Sequence, residues 1–275
     1  MDTVDLEPQE PTAPKEDLHL NRSYRKNVMI DSISKLLLDY QYSDFTIICG
    51  NQSFPAHKAV VCPQSRFFTK VLNGFFVVRV LISYASNVMA NTAKEARSNT
   101  INLPDHPLAV RMMLEFLYKS DYGFHMEYNF PSSDFSEGIG PPEDAIDRLT
   151  CCELSLHLKV HLLANRLLMK SLEYVSVKKL LQALHRASFF TIFPRIIREV
   201  YATTTAHHQL VRENVVLFAV KVLRGNVQRQ DLGYTFPKDI LDEVPDFARD
   251  LMEQCIDYFL KRQITEDWLR YEHRF

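Results

Sequence analysis

Glycine is scarce, with seven in 275 residues, and the scarcity excludes a class of chemistry. A dinucleotide or phosphate cradle needs glycines between a strand and a helix, where backbone N–H groups must approach the anion closely. The nearest candidate is Gly138-Ile139-Gly140-Pro141, and its proline and missing strand pattern disqualify it. Cysteine is sparse as well: Cys49, Cys62, Cys151, Cys152 and Cys255 make an odd count without C-x-x-C spacing. With no secretory signal ahead of them, they point to a reduced, intracellular chain, cytoplasmic and/or nuclear. The sequons at Asn21 and Asn51 then read as chance matches. Long apolar runs are missing too. The most apolar short run, Phe75 to Ile82, is eight residues, contains Arg79 and falls far short of the ~20 residues that span a bilayer, so no membrane partner is expected. Nor does one sign of charge dominate: 32 basic and 34 acidic residues leave a net charge of -2, with no block of five or six like charges. This argues against nucleic acid, which needs a clustered basic face.

Catalytic constellations are also lacking. There is no G-x-S-x-G elbow, no supported S-x-x-K, and no evident histidine partner for a cysteine. His157 and His161 stand at i,i+4 and could in geometry share a zinc ion. However, the zincin pattern requires a glutamate where this chain has Leu158, and nothing supplies a third ligand. Both histidines, like Cys151-Cys152, read as packing residues. We expect no catalytic, cofactor-binding or metal-binding residues, no cofactor, and no enzyme activity.

What is present is a soluble globular balance, 46% hydrophobic and 24% charged, enough for one large or two ordinary domains. Residues 1–25 carry Pro8, Pro11 and Pro14 among polar and acidic residues and read as a disordered tail. From Asp31, the positions Ile33, Leu36, Leu37 and Tyr40 predict a short amphipathic helix. Phe45, Ile47 and Cys49 alternate with Thr46 and Ile48, Gly50-Asn51 supply turn chemistry, and Phe54 and Ala56 alternate again: a β-hairpin. His57 to Val61 predicts a short helix ending near Pro63, and Ser65 a cap for a second helix with Phe67, Phe68 and Val71. A short strand at Ile101 to Leu103 and a helix from Pro107 follow. After a Gly- and Pro-bearing loop at 123–147, Thr150 to Met169, Ser171 to His185, Val211 to Leu223, Ile240 to Val244 and Phe247 to Tyr271 have helical period. The fold class is α+β, a small sheet surrounded by helices and followed by an all-α extension.

Several of these segments carry a resemblance. Ser43-Asp44, then Phe54-Pro55-Ala56-His57-Lys58, then Ser65-Arg66-Phe67-Phe68 fit the opening pattern of a BTB/POZ domain position by position. Ile101-Asn102-Leu103, Phe116-Leu117-Tyr118 with Asp121-Tyr122, and Leu156 to Asn165 are similar to its later motifs in the right order. The loop after Tyr122 looks like that of fungal members. The resemblance covers 29–188 and does not speak for the helical region 189–275. Within it, Gly74-Phe75-Phe76 and Lys94-Glu95-Ala96 are separated by residues 77–93, which typical fungal members lack. Two readings stand: a loop insertion, which costs little in closure entropy, or translated unspliced sequence.

The resemblance implies a non-enzymatic protein-interaction module that self-associates and serves as a substrate adaptor for a cullin-type ubiquitin ligase. The alternative is a scaffold or transcription-linked dimerisation protein without a ligase role. It implies a charged pocket at Asp44 and Lys58 near a dimer centre; read as an ordinary ion pair, the two would orient the hairpin. The helix with Leu36, Leu37 and Leu38 offers more apolar surface than one core face requires, which predicts a homodimer. The resemblance also implies a cullin contact through a hydrophobic-x-Glu motif, which the uninterrupted sequence would supply as Phe76-Lys94-Glu95. The insertion puts Ala93 in place of the phenylalanine. Partner-binding candidates are therefore Leu36, Leu37, Asp44, Lys58, Phe76, Lys94 and Glu95, and the identity of a protein substrate is open.

Overall fold

The computed structural model describes residues 15–72, 99–125, 145–187, 191–205, 207–228 and 238–272. The expected hairpin is β1 (Phe45–Cys49) and β2 (Gln52–Ala56), antiparallel with Phe45 opposite Ala56 and Cys49 opposite Gln52. Gly50 opens the two-residue turn at φ +57°, backbone that a side chain rarely adopts. The alternation expected of β1 holds: Phe45, Ile47 and Cys49 are buried, and Thr46 and Ile48 are half-buried. β3 (Thr100–Asn102) pairs parallel to β1 on its other side, giving the order β2-β1-β3.

Helices surround this sheet. α1 (Lys15–Ser34) precedes it, α2 (Lys58–Val61) and a 3-10 turn at Cys62–Gln64 follow the hairpin, and α3 (Arg66–Leu72) comes next. Ser65 caps α3 as its sequence predicts, accepting from the Phe68 N–H at 3.3 Å, while its Oγ donates to Leu167 O at 2.8 Å. α4 (Pro107–Lys119) starts with proline in its first turn and ends on Ser120 at φ +63°. It runs through the core, with Ala109, Val110 and every residue from Met112 to Tyr118 buried.

α5 (Ala145–Arg166) and α6 (Lys170–Arg186) form the closest helix pair. Beyond them lie α7 (Phe193–Thr203), α8 (Gln209–Gln228), α9 (Asp239–Glu243) and α10 (Pro245–Glu272). Two apolar cores result. The first joins the sheet, α3 and α4 to Leu156, Val160, Leu163 and Ala164 of α5. The second joins Leu154 and Leu158 of α5, with Val177, Leu180 and Leu184 of α6, to α7, α8 and α10. A two-residue offset turns ~200° around a helix, so α5 shows opposite faces to the two cores.

The N-terminal expectation needs correction. Helix begins at Lys15, inside the stretch read as disordered through residue 25, because the three prolines all precede it and 15–34 holds neither proline nor glycine. It also ends at Ser34, not Tyr40, where turns and Leu38 at φ +60° take over. Leu36, Leu37 and Leu38 are half-buried against the first core, so part of their apolar surface packs within the fold and part faces outward. The segment 77–93 and most of loop 123–147 lie outside the described residues.

Candidate interaction site

His57, from the hairpin exit, is buried beside Tyr118 of α4. The Tyr118 hydroxyl accepts from the His57 N–H at 3.0 Å and lies 2.7 Å from Nδ1, while Nε2 lies 2.9 Å from Gln41 O. A neutral ring protonated on Nε2 satisfies all three contacts. Burial pushes the Tyr118 hydroxyl up to about 12, against the opposing effect of the His57 N–H. The motif histidine and tyrosine thus tie the hairpin to α4.

Asp44 and Lys58 do meet, but through the backbone. Asp44 Oδ1 accepts the Lys58 N–H at 2.8 Å, which satisfies a donor at the start of α2, and the Lys58 ammonium donates to Asn99 Oδ1 at 3.0 Å. Asp44 is exposed. The arrangement is a surface clamp of β1, α2 and the approach to β3, not a buried charge pair, and its water-facing carboxylate escapes the desolvation cost of buried ions.

A groove of about 740 Å³ opens at the end of the domain where α3 and the α5–α6 junction meet. Cys62, Phe116, Leu168, Met169 and Leu172 supply apolar lining, and Arg66 and Lys170 are its only charged residues among those described. Leu168 is held at φ +57° and is 39% exposed; strain of this kind on an exposed apolar side chain concentrates at binding sites. No local pattern marks this groove, since its walls, Cys62–Thr69 and Leu168–Leu172, are about 100 residues apart in the chain. Phe76, Lys94 and Glu95 lie outside the described residues; α3, which forms one wall, ends at Leu72, four residues before Phe76.

The two histidines of α5 face different partners. His157 Nδ1 meets the Tyr122 hydroxyl at 3.1 Å, and its Nε2 lies 3.6 Å from Glu153, which also binds Arg186 at 2.6 Å. Burial lowers the His157 pKa against the raising effect of Glu153. Burial works to raise Glu153, but hydrogen bonds with His157 and Arg186 outweigh it and lower that carboxyl. His161 Nδ1 lies 3.4 Å from both Glu173 O and Ser176 Oγ, and its buried Nε2 has no hydrogen-bond partner among the described residues. Among the described residues, no three metal-ligating side chains cluster.

The family model of the BTB/POZ domain matches residues 33–130. That stretch is a BTB/POZ domain. Kelch-like protein 25 of Xenopus tropicalis is 30% identical over 81 residues, 29% of this chain and 11% of that protein. BTB/POZ domain-containing protein 1 of Schizosaccharomyces pombe is 35% identical over 78 residues, 28% of this chain and 5% of that protein. The chain therefore spans about a tenth or less of the curated relatives it matches. Among solved structures, the BTB domain of zebrafish PATZ1 is similar with 18% identity and a TM-score of 0.34, over 58% of this chain and 94% of that one. Residues 33–130 are thus a domain of the protein-interaction kind within an α+β fold, with helices continuing beyond it. Among the described residues, no helix is long and apolar enough to cross a membrane.

Proposed function

We propose that the chain is a self-associating protein-interaction module whose BTB/POZ domain serves, once residues 77–93 are absent, as a substrate adaptor for a cullin-type ubiquitin ligase. The groove between α3 and the α5–α6 junction carries this reading. It places an apolar, strained surface beside the end of α3, from which the chain continues towards Phe76, Lys94 and Glu95. An aromatic anchor at such a position can dominate an interface, and its replacement by alanine commonly costs ~2 kcal/mol, about 30-fold in affinity. Calorimetric titration against a cullin N-terminal domain tests the proposal. The chain as written should bind weakly or not at all, and the version lacking 77–93 should bind measurably. Equal affinities would remove the residue-level support.

Self-association is assigned to the outer face of α1 and the segment after it. Val28 and Met29 are 47% and 66% exposed, and Tyr40 and Tyr42 are 70% and 77% exposed, apolar surface on the segment that leads into Asp44. Equal patches on two copies are what a two-fold dimer requires. Sedimentation of the full chain should give a dimer at tens of micromolar; a monomer there would count against it.

A further inference from the structure

α8 and α10 leave a cleft of about 220 Å³ between their first halves. Val216 is buried in its wall, and the charged residues described around it are Arg212 and Glu213 of α8 and Asp250 and Glu253 of α10. Arg212 is already engaged: Nε donates to Thr204 Oγ1 at 2.9 Å, a terminal nitrogen donates to Thr204 O at 2.5 Å, and the guanidinium lies 4.4 Å from the centre of the Tyr201 ring. Asp250 accepts from the Tyr201 hydroxyl at 2.6 Å. Glu213 and Glu253 are exposed, one on each wall, and neither has a cation partner among the described residues. Residues three and four apart on a helix are neighbours, so Glu213 adjoins Leu217 and Glu253 adjoins Ile256, itself one turn from Met252. These three apolar side chains are 43%, 50% and 61% exposed. Each wall of the cleft therefore sets an unmatched carboxylate beside exposed apolar surface.

What fits there carries positive charge on an apolar face. Among the described residues, the other cations of the two helices are taken or turned away: Lys221 lies ~140° from Val216 around α8, Arg224 sits over the Tyr258 ring at 4.2 Å, and Arg249 is paired with Asp246. A nucleic acid or an anionic lipid surface meets the two unmatched carboxylates and is repelled. A second copy presenting the same face brings like charges together. Met252 and Ile256, one turn apart, match the apolar stripe of a helix, which anchors in such a groove through residues at i, i+3 and i+4. We propose that the α8–α10 face receives a basic amphipathic helix of a partner protein, its apolar residues on Leu217, Ile256 and Met252 and its lysines or arginines on Glu213 and Glu253. The face lies beyond residues 33–130, which the BTB/POZ model matches, so the docking does not rest on the adaptor reading; assigning its occupant to the protein substrate does.

Fluorescence anisotropy with the full chain tests the docking without any cullin. Failure here therefore leaves the adaptor reading intact, and failure of cullin binding leaves the docking intact. The probe is a labelled peptide of about five helical turns, with leucines at i, i+3, i+4 and i+7 spacing and lysines elsewhere. Two controls accompany it, one with glutamates in place of the lysines and one with the same residues in scrambled order. The basic amphipathic peptide should bind at least about tenfold more tightly than either. Glu213→Lys with Glu253→Lys should weaken it several-fold, and Met252→Ser with Ile256→Ser about tenfold. All four positions are exposed, and an unchanged melting temperature checks that the fold persists. A photoreactive group at the centre of the peptide, located by mass spectrometry on the unaltered chain, should label residues 213–217 and 250–256. Equal binding of the basic peptide and its controls, labels spread evenly along the chain, or an affinity unchanged in both double variants overturns the proposal.

Discussion

Tyr118 shows how much a single hydroxyl can hold. Replacing it by phenylalanine leaves the buried His57 N–H and Nδ1 without their partner. A lost buried hydrogen bond of this kind costs ~1 to 3 kcal/mol, so urea denaturation of Tyr118→Phe should give an unfolding free energy lower by that amount. A loss under about 0.5 kcal/mol would mean that the hairpin and α4 are joined by apolar packing alone. The pH profile carries a second signature. Because the folded value lies near 12 and the ordinary one is 10, the contribution of Tyr118 is complete below pH 10 and fades as pH rises towards 12. Tyr118→Phe should lose this share of the alkaline decline and keep the share of Tyr122 and Tyr201, whose hydroxyls burial also pushes up.

Histidines give the opposite edge. His157, His161 and His208 all have pKa values lowered by burial from the ordinary 6.5, so the unfolded chain takes up protons first on acidification. Stability should be full above pH 6.5 and decline as pH falls below it, and thermal unfolding across pH 5 to 8 checks this. His161→Leu removes the buried Nε2, which has no hydrogen-bond partner among the described residues, together with the long 3.4 Å contacts of Nδ1, and should flatten part of the decline with a smaller loss than that expected for His157, whose ring nitrogen bonds to Tyr122. Neither contact network was legible in the sequence. His57 and Tyr118 stood out as separate motif residues 61 positions apart, and no periodicity reports which side chains meet across such a distance.

At the scale of elements, α5 decides the architecture. Its helical period was legible, but a helix apolar on two opposite sides reads in sequence as one broad apolar stripe. The boundary expected near residue 188 cuts the second core, with α5 and α6 before it and α7, α8 and α10 after it. A fragment ending there would expose Leu154, Leu158, Val177, Leu180 and Leu184, all buried in the full chain. Such a patch promotes association, so fragment 26–188 should aggregate or bind a hydrophobic dye under conditions where the full chain does neither; a well-behaved fragment would show that the second core is dispensable. The strands were easier to foresee, because alternation over β1 and a glycine at a positive-φ turn are local signals. The start of α1 was missed because proline-rich and helix-forming residues were averaged over the first 25 positions.

For the whole molecule, the connection from α3 to β3 spans residues 73–99. Removing 77–93 shortens it from 27 residues to 10, which changes closure entropy by only about 0.9 kcal/mol. Denaturation of the shortened chain should therefore differ from that of the full one by about 1 kcal/mol, even where its cullin affinity differs by 30-fold. A much larger change would mean that the segment packs as part of the fold. The BTB/POZ motifs made the first half of the molecule legible. Residues 189–275 offered only helical period, and a second core assembled from helices without sequence motifs could not be placed from period alone.

The wall shared by the two cores has a consequence for cooperativity. Leu156 and Leu158 sit on one helix with their side chains in different interiors, so neither interior can open without disturbing the backbone of the other. The domain that binds partners and the helices beyond it are one thermodynamic unit: heat should melt them together, and a lesion near Phe247 should be felt at Tyr118.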